Sequence, residues 1–323
     1  MHGSLQDQLI AKGLAKEEKS KKASGHEKTK HIQIPEMCGI NKTRLPEDTR
    51  DILRNAEREV PDNFALRLNR RVCFEREKDK EKPVLPTYTD IGGAFNFDEK
   101  LIKETSDRQL VAIQDFGLER LELIFTVDWR QIVGLGNESV YETSITLHHV
   151  HGFPYIPASA IKGIIRSWII TEVFGETDDS VKKNGPAGAE ARALDDEGFR
   201  AIFGDTTQVG KIKFFDAYPI TKPKIDTDIM NPHFGDYYGD KTGETPPADY
   251  LTPVPVPFLT VRDTSFRFVL GIKAKENNYM PEGSRLDQGI RLLEITGRWL
   301  KKALTEHGIG AKTAVGYGLM GSA

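Results

Sequence analysis

The stretch GIGAKTAVGYG, from Gly308 to Gly318, sets four glycines around a single lysine. Main-chain N–H groups in such a loop can form a concavity for anions, and a lysine adds a point charge. Phosphate is the natural ligand, and the question is whose. A nucleotide-binding P-loop needs glycine directly before the lysine and a helix directly after the hydroxyl residue. Here Ala311 precedes Lys312, and the loop runs from a predicted helix into a predicted strand. The dinucleotide fingerprint also fails, with Thr313 where its third glycine belongs. ATP and NAD are therefore poor candidates. The glycines can serve a tight helix-to-strand connection, or Gly308, Gly310, Lys312 and Thr313 can meet the backbone of a polyanion. Four glycines exceed the need of one turn, and we favour the second reading.

A second group lies in IPASAIKGIIRSW. Ser159 is placed to N-cap a helix, and Lys162 and Arg166 stand four residues apart, away from its apolar stripe. Free amides at a helix start attract phosphate, with about 0.3–1 kcal/mol per anion from the dipole in exposed settings. Alone, such a pair is a solvated face more often than a site; a glycine loop in the same domain raises its weight. LHHVHG supplies His148, His149 and His151. No cysteine or carboxylate at a recognisable interval completes a zinc set, and general acid–base work ranks below hydrogen-bonded loop histidines. Asp216, in FFDA, could serve catalysis or a metal, but a carboxylate accepting backbone N–H bonds is the commoner case. In PHFGDYYGDK, Tyr237 and Tyr238 could pack locally or stack on bases, worth about 1–3 kcal/mol per base. No nucleophile elbow or Ser/His/Asp set is recognisable. Nothing compels an enzyme, and no motif asks for a metal or cofactor.

These residues need elements to position them. RLELIFTVDW, Arg120 to Trp129, alternates as a half-buried strand. Ile161, Ile164, Ile165, Trp168 and Ile169 have the spacing of one helical face. GKIKFFDAYP from Gly210 and TSFRFVLGIKA from Thr264 read as strands. Leu286, Ile290, Leu293, Leu300 and Leu304 mark a second helix ended by Gly308, and Tyr317 to Met320 suffices for a last strand. The order strand, helix, strand, strand, helix, strand is the α+β ferredoxin-like (RRM-like) βαββαβ pattern, whose sheet commonly serves as an RNA platform. A proline-rich insertion, 218–261, separates the second and third strands and is long enough to expect function in it. Ahead of this domain, 118–323, lies a helical or irregular extension, 43–117, with short helices expected over Thr43 to Arg71 and a charged loop over Glu75 to Pro86. Residues 1–42 read as a flexible basic leader: between Ala11 and Lys30 seven lysines face three glutamates, too polar a segment to offset ordering entropy.

The formal net charge of −3 over 323 residues does not advertise a nucleic-acid binder, although local field decides that more than the total. Two cysteines, Cys38 and Cys73, form no metal spacing and argue for a reducing cytoplasm without a disulfide scaffold. No apolar run of membrane-spanning length and no signal-peptide core occur, so we expect a cytoplasmic protein without membrane contact.

In order along the chain, three stretches resemble motifs of the RAMP superfamily of CRISPR systems. YIPASAIKGIIRSW resembles its PxSxxKGxxR helix start, GKIKFFDAYP its G-x-hydrophobic-x-F-x-D-A strand, and GIGAKTAVGYGLM its terminal glycine-rich loop. DIMNPHFGDYYGD followed by PADYLTPVPVPFLTV is similar to the sixth-subunit family of type III-B (Cmr) effector complexes. The resemblance covers Leu118 to the end and little of the first hundred residues; Ala158 stands where glycine or another small residue is often found. It implies a non-catalytic subunit near the end of a ribonucleoprotein filament. Its partners would be the guide (CRISPR) RNA, mainly its 3′ part, the target RNA, and the backbone, small and terminal RAMP subunits. Ser159, Lys162 and Arg166 would lie beside the guide backbone, with Gly308, Gly310, Lys312 and Thr313 as the phosphate-facing loop. The insertion bearing Tyr237 and Tyr238 would touch the duplex or a neighbour. Two alternatives stay open: a metal-independent endoribonuclease of the same superfamily, using one of the three clustered histidines on guide precursors, and a pure protein scaffold.

Overall fold

The computed structural model describes residues 42–55, 63–70, 72–77, 80–84, 97–175, 185–232, 239–240, 242–244, 246 and 255–322. Helices α1 (Glu47–Asn55) and α2 (Phe64–Arg70) precede a ribbon of β1 (Cys73–Glu77) and β2 (Lys80–Val84). The stretch read as a charged loop is thus largely paired, because opposite charges face across it: Glu75 opposes Lys82 and Arg76 opposes Glu81. Cys73 is disulfide-bonded, which corrects the expectation drawn from the cysteine spacing. Helix α3 (Glu99–Asp115) begins at Asp98, whose carboxylate accepts from Lys100 N at 2.9 Å and Leu101 N at 3.2 Å.

The remaining elements are β3 (Leu118–Val127), α4 (Ala158–Glu172), α5 (Gly185–Asp195), α6 (Glu197–Phe203), β4 (Lys213–Phe214), β5 (Tyr218–Pro219), β6 (Lys224–Met230), β7 (Val256–Arg262), β8 (Ser265–Lys273), α7 (Leu292–Lys302) and β9 (Met320–Ser322). One sheet runs β4–β8–β3–β9, with β5 also on β8, and every pairing is antiparallel. A separate ribbon joins β6 to β7, from Lys224 opposite Arg262 to Met230 opposite Val256.

Register and burial define the layers. Leu121, Leu123 and Phe125 of β3 sit opposite Leu270, Phe268 and Phe266 of β8 and share one face. Helix α7 lies close on that face: a side chain at Gly297 would run into Leu121. Phe125 and Phe268 meet edge to face at 5.8 Å, an arrangement worth about 0.5–1.5 kcal/mol beyond burial. Helix α4 joins this layer through Ile161, Ile165, Trp168 and Ile169, all buried in the same core as α7. The opposite face is crossed by α3. Arg120 donates to Leu110 O and Gln114 Oε1, and Arg267 to Ser106 Oγ and Asp107 Oδ1. The face that could serve as an open platform is therefore partly covered, with its arginines tied to α3.

Two departures from the sequence pattern have local causes. The single strand expected from Gly210 is split because its middle changes partner: Phe215 N still reaches Val269 O at 3.3 Å, while Ala217 exchanges backbone bonds with Ile156. The last long helix begins at Leu292, not Leu286. Upstream amides are already committed, Arg285 N to Asp196 Oδ2 at 2.8 Å and Leu286 N to Ser284 Oγ at 3.1 Å, so the helix cannot extend back over them. Helices α5 and α6 went unforeseen. Asp196 starts α6 by accepting from Phe199 N at 3.0 Å, a signal visible in the sequence DDEGF.

Candidate nucleic-acid interface

The glycine-rich loop follows α7 through a wide π turn, Ala303–His307, ending on Gly308 N to Ala303 O at 3.0 Å. Gly308 and Gly318, both buried with φ of 73° and 74°, close the loop on itself, and Ile309 N donates to Gly318 O at 2.8 Å. A side chain on Gly318 would collide with Ile309 O, and one on Gly308 would press tightly on the backbone of Tyr317 and Gly318. Part of the glycine content therefore serves closure, as the plainer sequence reading held.

The same loop is laced to the segment after β3. Asp128 N donates to Leu319 O at 3.1 Å, Gly318 N to Arg130 O at 2.7 Å and Ala311 N to Ile132 O at 2.8 Å. Beneath it lies a small separate core of Ile132, Phe258 and Tyr317, with Leu135, Met230 and Ala311 around it. The β6–β7 ribbon is clamped there. Tyr317 Oη donates to Asp228 Oδ2 at 2.6 Å, and Arg130 bridges Asp226 at 2.9 Å and Asp228 at 3.2 Å. Burial first, then the bond to Asp228 and its negative charge, push the Tyr317 phenol up to about 12. This clamp was not foreseen from sequence, where Arg130, Asp226 and Asp228 carry no motif.

What remains unused at the loop is chemically specific. The amides of Gly310, Lys312, Thr313 and Ala314 have no acceptor among the described residues. Lys312 adopts φ 62° at the start of a short 3₁₀ turn, Thr313–Val315. Its ammonium sits 5.6 Å from the Phe258 ring centroid and meets no carboxylate among the described residues. Lys312 and Thr313 are half-buried and Gly310 is exposed. Donors and a cation thus converge on one accessible turn.

The start of α4 is arranged differently. Ser159 is not the N-cap: Pro157 holds that position, and the capping carboxylate comes from elsewhere, Asp216 Oδ1 accepting from Ala158 N at 2.7 Å. Ser159 is exposed on the first turn, and its amide has no acceptor among the described residues. Lys162 Nζ donates to Phe203 O at 2.7 Å; burial, then Arg166 and Lys213, lower its pKa. Arg166 pairs with Glu190 at 2.6 Å and lies 5.5 Å from the Phe199 ring centroid.

The three histidines form an aromatic cluster. His148 stacks with His149 at 5.3 Å and His151 at 4.8 Å, and its ring also nears Phe153, Tyr155 and Tyr218. Its Nδ1 accepts from Val150 N and His151 N at 3.3 and 3.2 Å, which leaves the ring proton on Nε2 in the neutral form. Stacked rings do not converge their nitrogens, and no cluster of His, Cys, Asp or Glu able to hold a metal occurs among the described residues. Among those residues, too, no helix is long and apolar enough to cross a membrane. Tyr237 and Tyr238 lie outside the described residues.

The profile of the RAMP superfamily matches residues 91–320, from just before α3 to β9. The chain belongs to the RAMP superfamily. Within it, the Cmr6 subunit of the CRISPR Cmr system of Pyrococcus furiosus is 35% identical over 239 residues, covering 60% of this chain and 65% of that protein. The corresponding subunit of Saccharolobus solfataricus is 26% identical over 231 residues, covering 70% and 66%. The chain thus spans just under two thirds of the length of these curated relatives. A chain in the cryo-EM structure of a type III-B Cmr-β complex bound to cognate target RNA aligns at 22% identity and a TM-score of 0.48, covering 71% of this chain and 67% of that one.

Proposed function

We propose that this RAMP protein is a non-catalytic RNA-binding subunit of a type III-B CRISPR effector ribonucleoprotein in the cytoplasm. It would hold the 3′ part of the guide RNA and the guide–target duplex backbone during RNA-guided antiviral interference, beside backbone, small and terminal RAMP subunits. Similarity to the two Cmr6 subunits supports the assignment. The sheet order, which is second, third, first, fourth in the count of core strands, supports a ferredoxin-like core over 118–323 with its insertion at 218–261. In this reading 43–117 is an added extension and 1–42 a basic leader.

One observation carries the RNA reading: among the described residues, Lys312 meets no carboxylate and the neighbouring amides of Gly310, Lys312, Thr313 and Ala314 meet no acceptor. Such a turn neutralises and hydrogen-bonds phosphate without reading bases. Ser159, Lys162 and Arg166 supply a second, weaker stretch of the same track. Salt titration of RNA binding tests this. Lys312→Ala should weaken single-stranded RNA about tenfold near physiological salt and lower the log–log salt slope by about 0.7, with sequence preference unchanged. An unaltered slope would remove the loop from the binding site.

A further inference from the structure

Among the chain's three tryptophans, Trp168 and Trp299 are 5% and 3% exposed, whereas Trp129 is 52% exposed. Its position is tied to the glycine-rich loop from both sides. The amide before it, on Asp128, donates to Leu319 O, and the carbonyl after it, on Arg130, accepts from Gly318 N. Its indole packs against Tyr317 with ring centroids 4.8 Å apart and planes at 52°. The Arg130 guanidinium lies 5.7 Å from the indole centroid and is held by Asp226 and Asp228. Those two carboxylates, Asp226 shared with Arg262, hold the Arg130 guanidinium in place, so it supports the ring and is not a free phosphate ligand. Tyr317 is anchored in turn through Asp228. An indole held this firmly, backed on one side and open for half its surface, costs little further conformational entropy to use.

We propose that Trp129 is a base-stacking platform of the RNA site: the strand whose phosphate rests on Lys312 and the amides of 312–314 lays an unpaired base on the indole. This rests on the reading of the loop as a phosphate site and adds to it the kind of nucleic acid taken there, single-stranded at this point. An indole offers a π-face to any base and no hydrogen-bond code, so the contact is tolerant of sequence. An unstacked base is also required, because a base inside a duplex has no free face.

The test uses the full chain, an end-labelled oligouridine of about 12 nucleotides, and an abasic ribose-phosphate strand of equal length. With the other two tryptophans buried, a change in intrinsic emission on binding reports Trp129. Oligouridine should quench that emission and the abasic strand should not. Trp129→Phe should abolish the quenching while retaining most of the affinity. Trp129→Leu should weaken oligouridine about five- to a hundredfold, leave the abasic strand's affinity unchanged, and leave the salt slope unchanged. Lys312→Ala should weaken both strands alike, which separates the two contacts. Thermal melting of both tryptophan variants checks the fold.

The stacking proposal is overturned, with the loop reading intact, if Trp129→Leu binds oligouridine as the parent does or loses both strands equally. It is also overturned if, in an assembled complex without RNA, Trp129 is already shielded from acrylamide by a neighbouring subunit. Failure of the parent to bind either strand would remove the loop reading and this inference together.

Discussion

Among the described residues, Lys312 of the carboxyl-terminal loop meets no carboxylate and four neighbouring amides meet no acceptor. At the start of α4, Lys162 is bonded to Phe203 O and Arg166 to Glu190. The loop carries one lysine and the helix start a Lys/Arg pair, yet the first holds its charge in reserve and the second has already committed it. A phosphate arriving at the loop would find these donors without a described partner. At α4 it would have to compete with a carbonyl for Lys162 and with a carboxylate for Arg166. The surface pair Arg166–Glu190 is worth about 0–1 kcal/mol, so it can be exchanged, but the exchange subtracts from binding. The contrast teaches that counting cations in a motif overstates a site unless their partners are counted too.

The largest effect expected from breaking this contrast lies in the loop's shape. Gly318 has φ 74°, and a side chain there would strike Ile309 O. Gly318→Ala should therefore cost about 3 kcal/mol or more of unfolding free energy, and with it the amide array. Gly316, with φ 91°, has open space around it, so Gly316→Ala should cost only about 1 kcal/mol. Denaturant unfolding of the two variants compares them directly. Equal costs would mean that the close approach of the two limbs is not what the glycines serve.

The α4 side sharpens in the opposite direction, through a gain. Glu190→Gln removes the carboxylate that holds Arg166 and should strengthen RNA binding by about two- to fivefold, the equivalent of a surface ion pair. The salt slope should steepen with it, as a freed guanidinium adds to the phosphates neutralised. If Glu190→Gln leaves both affinity and slope where they were, Arg166 is not on the RNA path and the track is confined to the loop.

How much of this was legible in the sequence differs by element and for physical reasons. The strand at β3, the apolar stripe of α4 and the helix-ending role of Gly308 follow from periodicity and backbone conformation, which are local. Ser159 looked like a cap because capping is usually local too. Here Asp216 caps from 58 residues away, across a strand break, and only the fold brings it to Ala158 N. The same holds for the partners of Lys162 and Arg166: the Phe203 carbonyl, 41 residues on, and the Glu190 carboxylate, 24 residues on, have no signature in the motif itself. Trp129 was read as the last residue of an alternating strand. Its place beside the loop depends on hydrogen bonds to Leu319 and Gly318, which no spacing within the first strand encodes.

The smallest effect expected is a pH dependence centred on the histidine cluster beside the start of α4. Around His148 stand His149, His151, Tyr155, Tyr218 and Asp216. Burial first, then the charges of His151 and His149, lower its pKa, and Asp216 opposes them only in part. In the unfolded chain the imidazole titrates near 6.5, so below that pH the unfolded state takes up the proton more readily than the folded one. Stability is therefore undiminished by this group above about pH 6.5 and falls as the pH drops below it. His148→Asn retains an acceptor for the Val150 and His151 amides but cannot titrate, and it also relieves its neighbours of a like charge. Melting midpoints followed from about pH 7.5 to about 5.5 should decline for the parent and decline less for the variant. Parallel declines would assign the acid sensitivity to other groups and leave the cluster as packing.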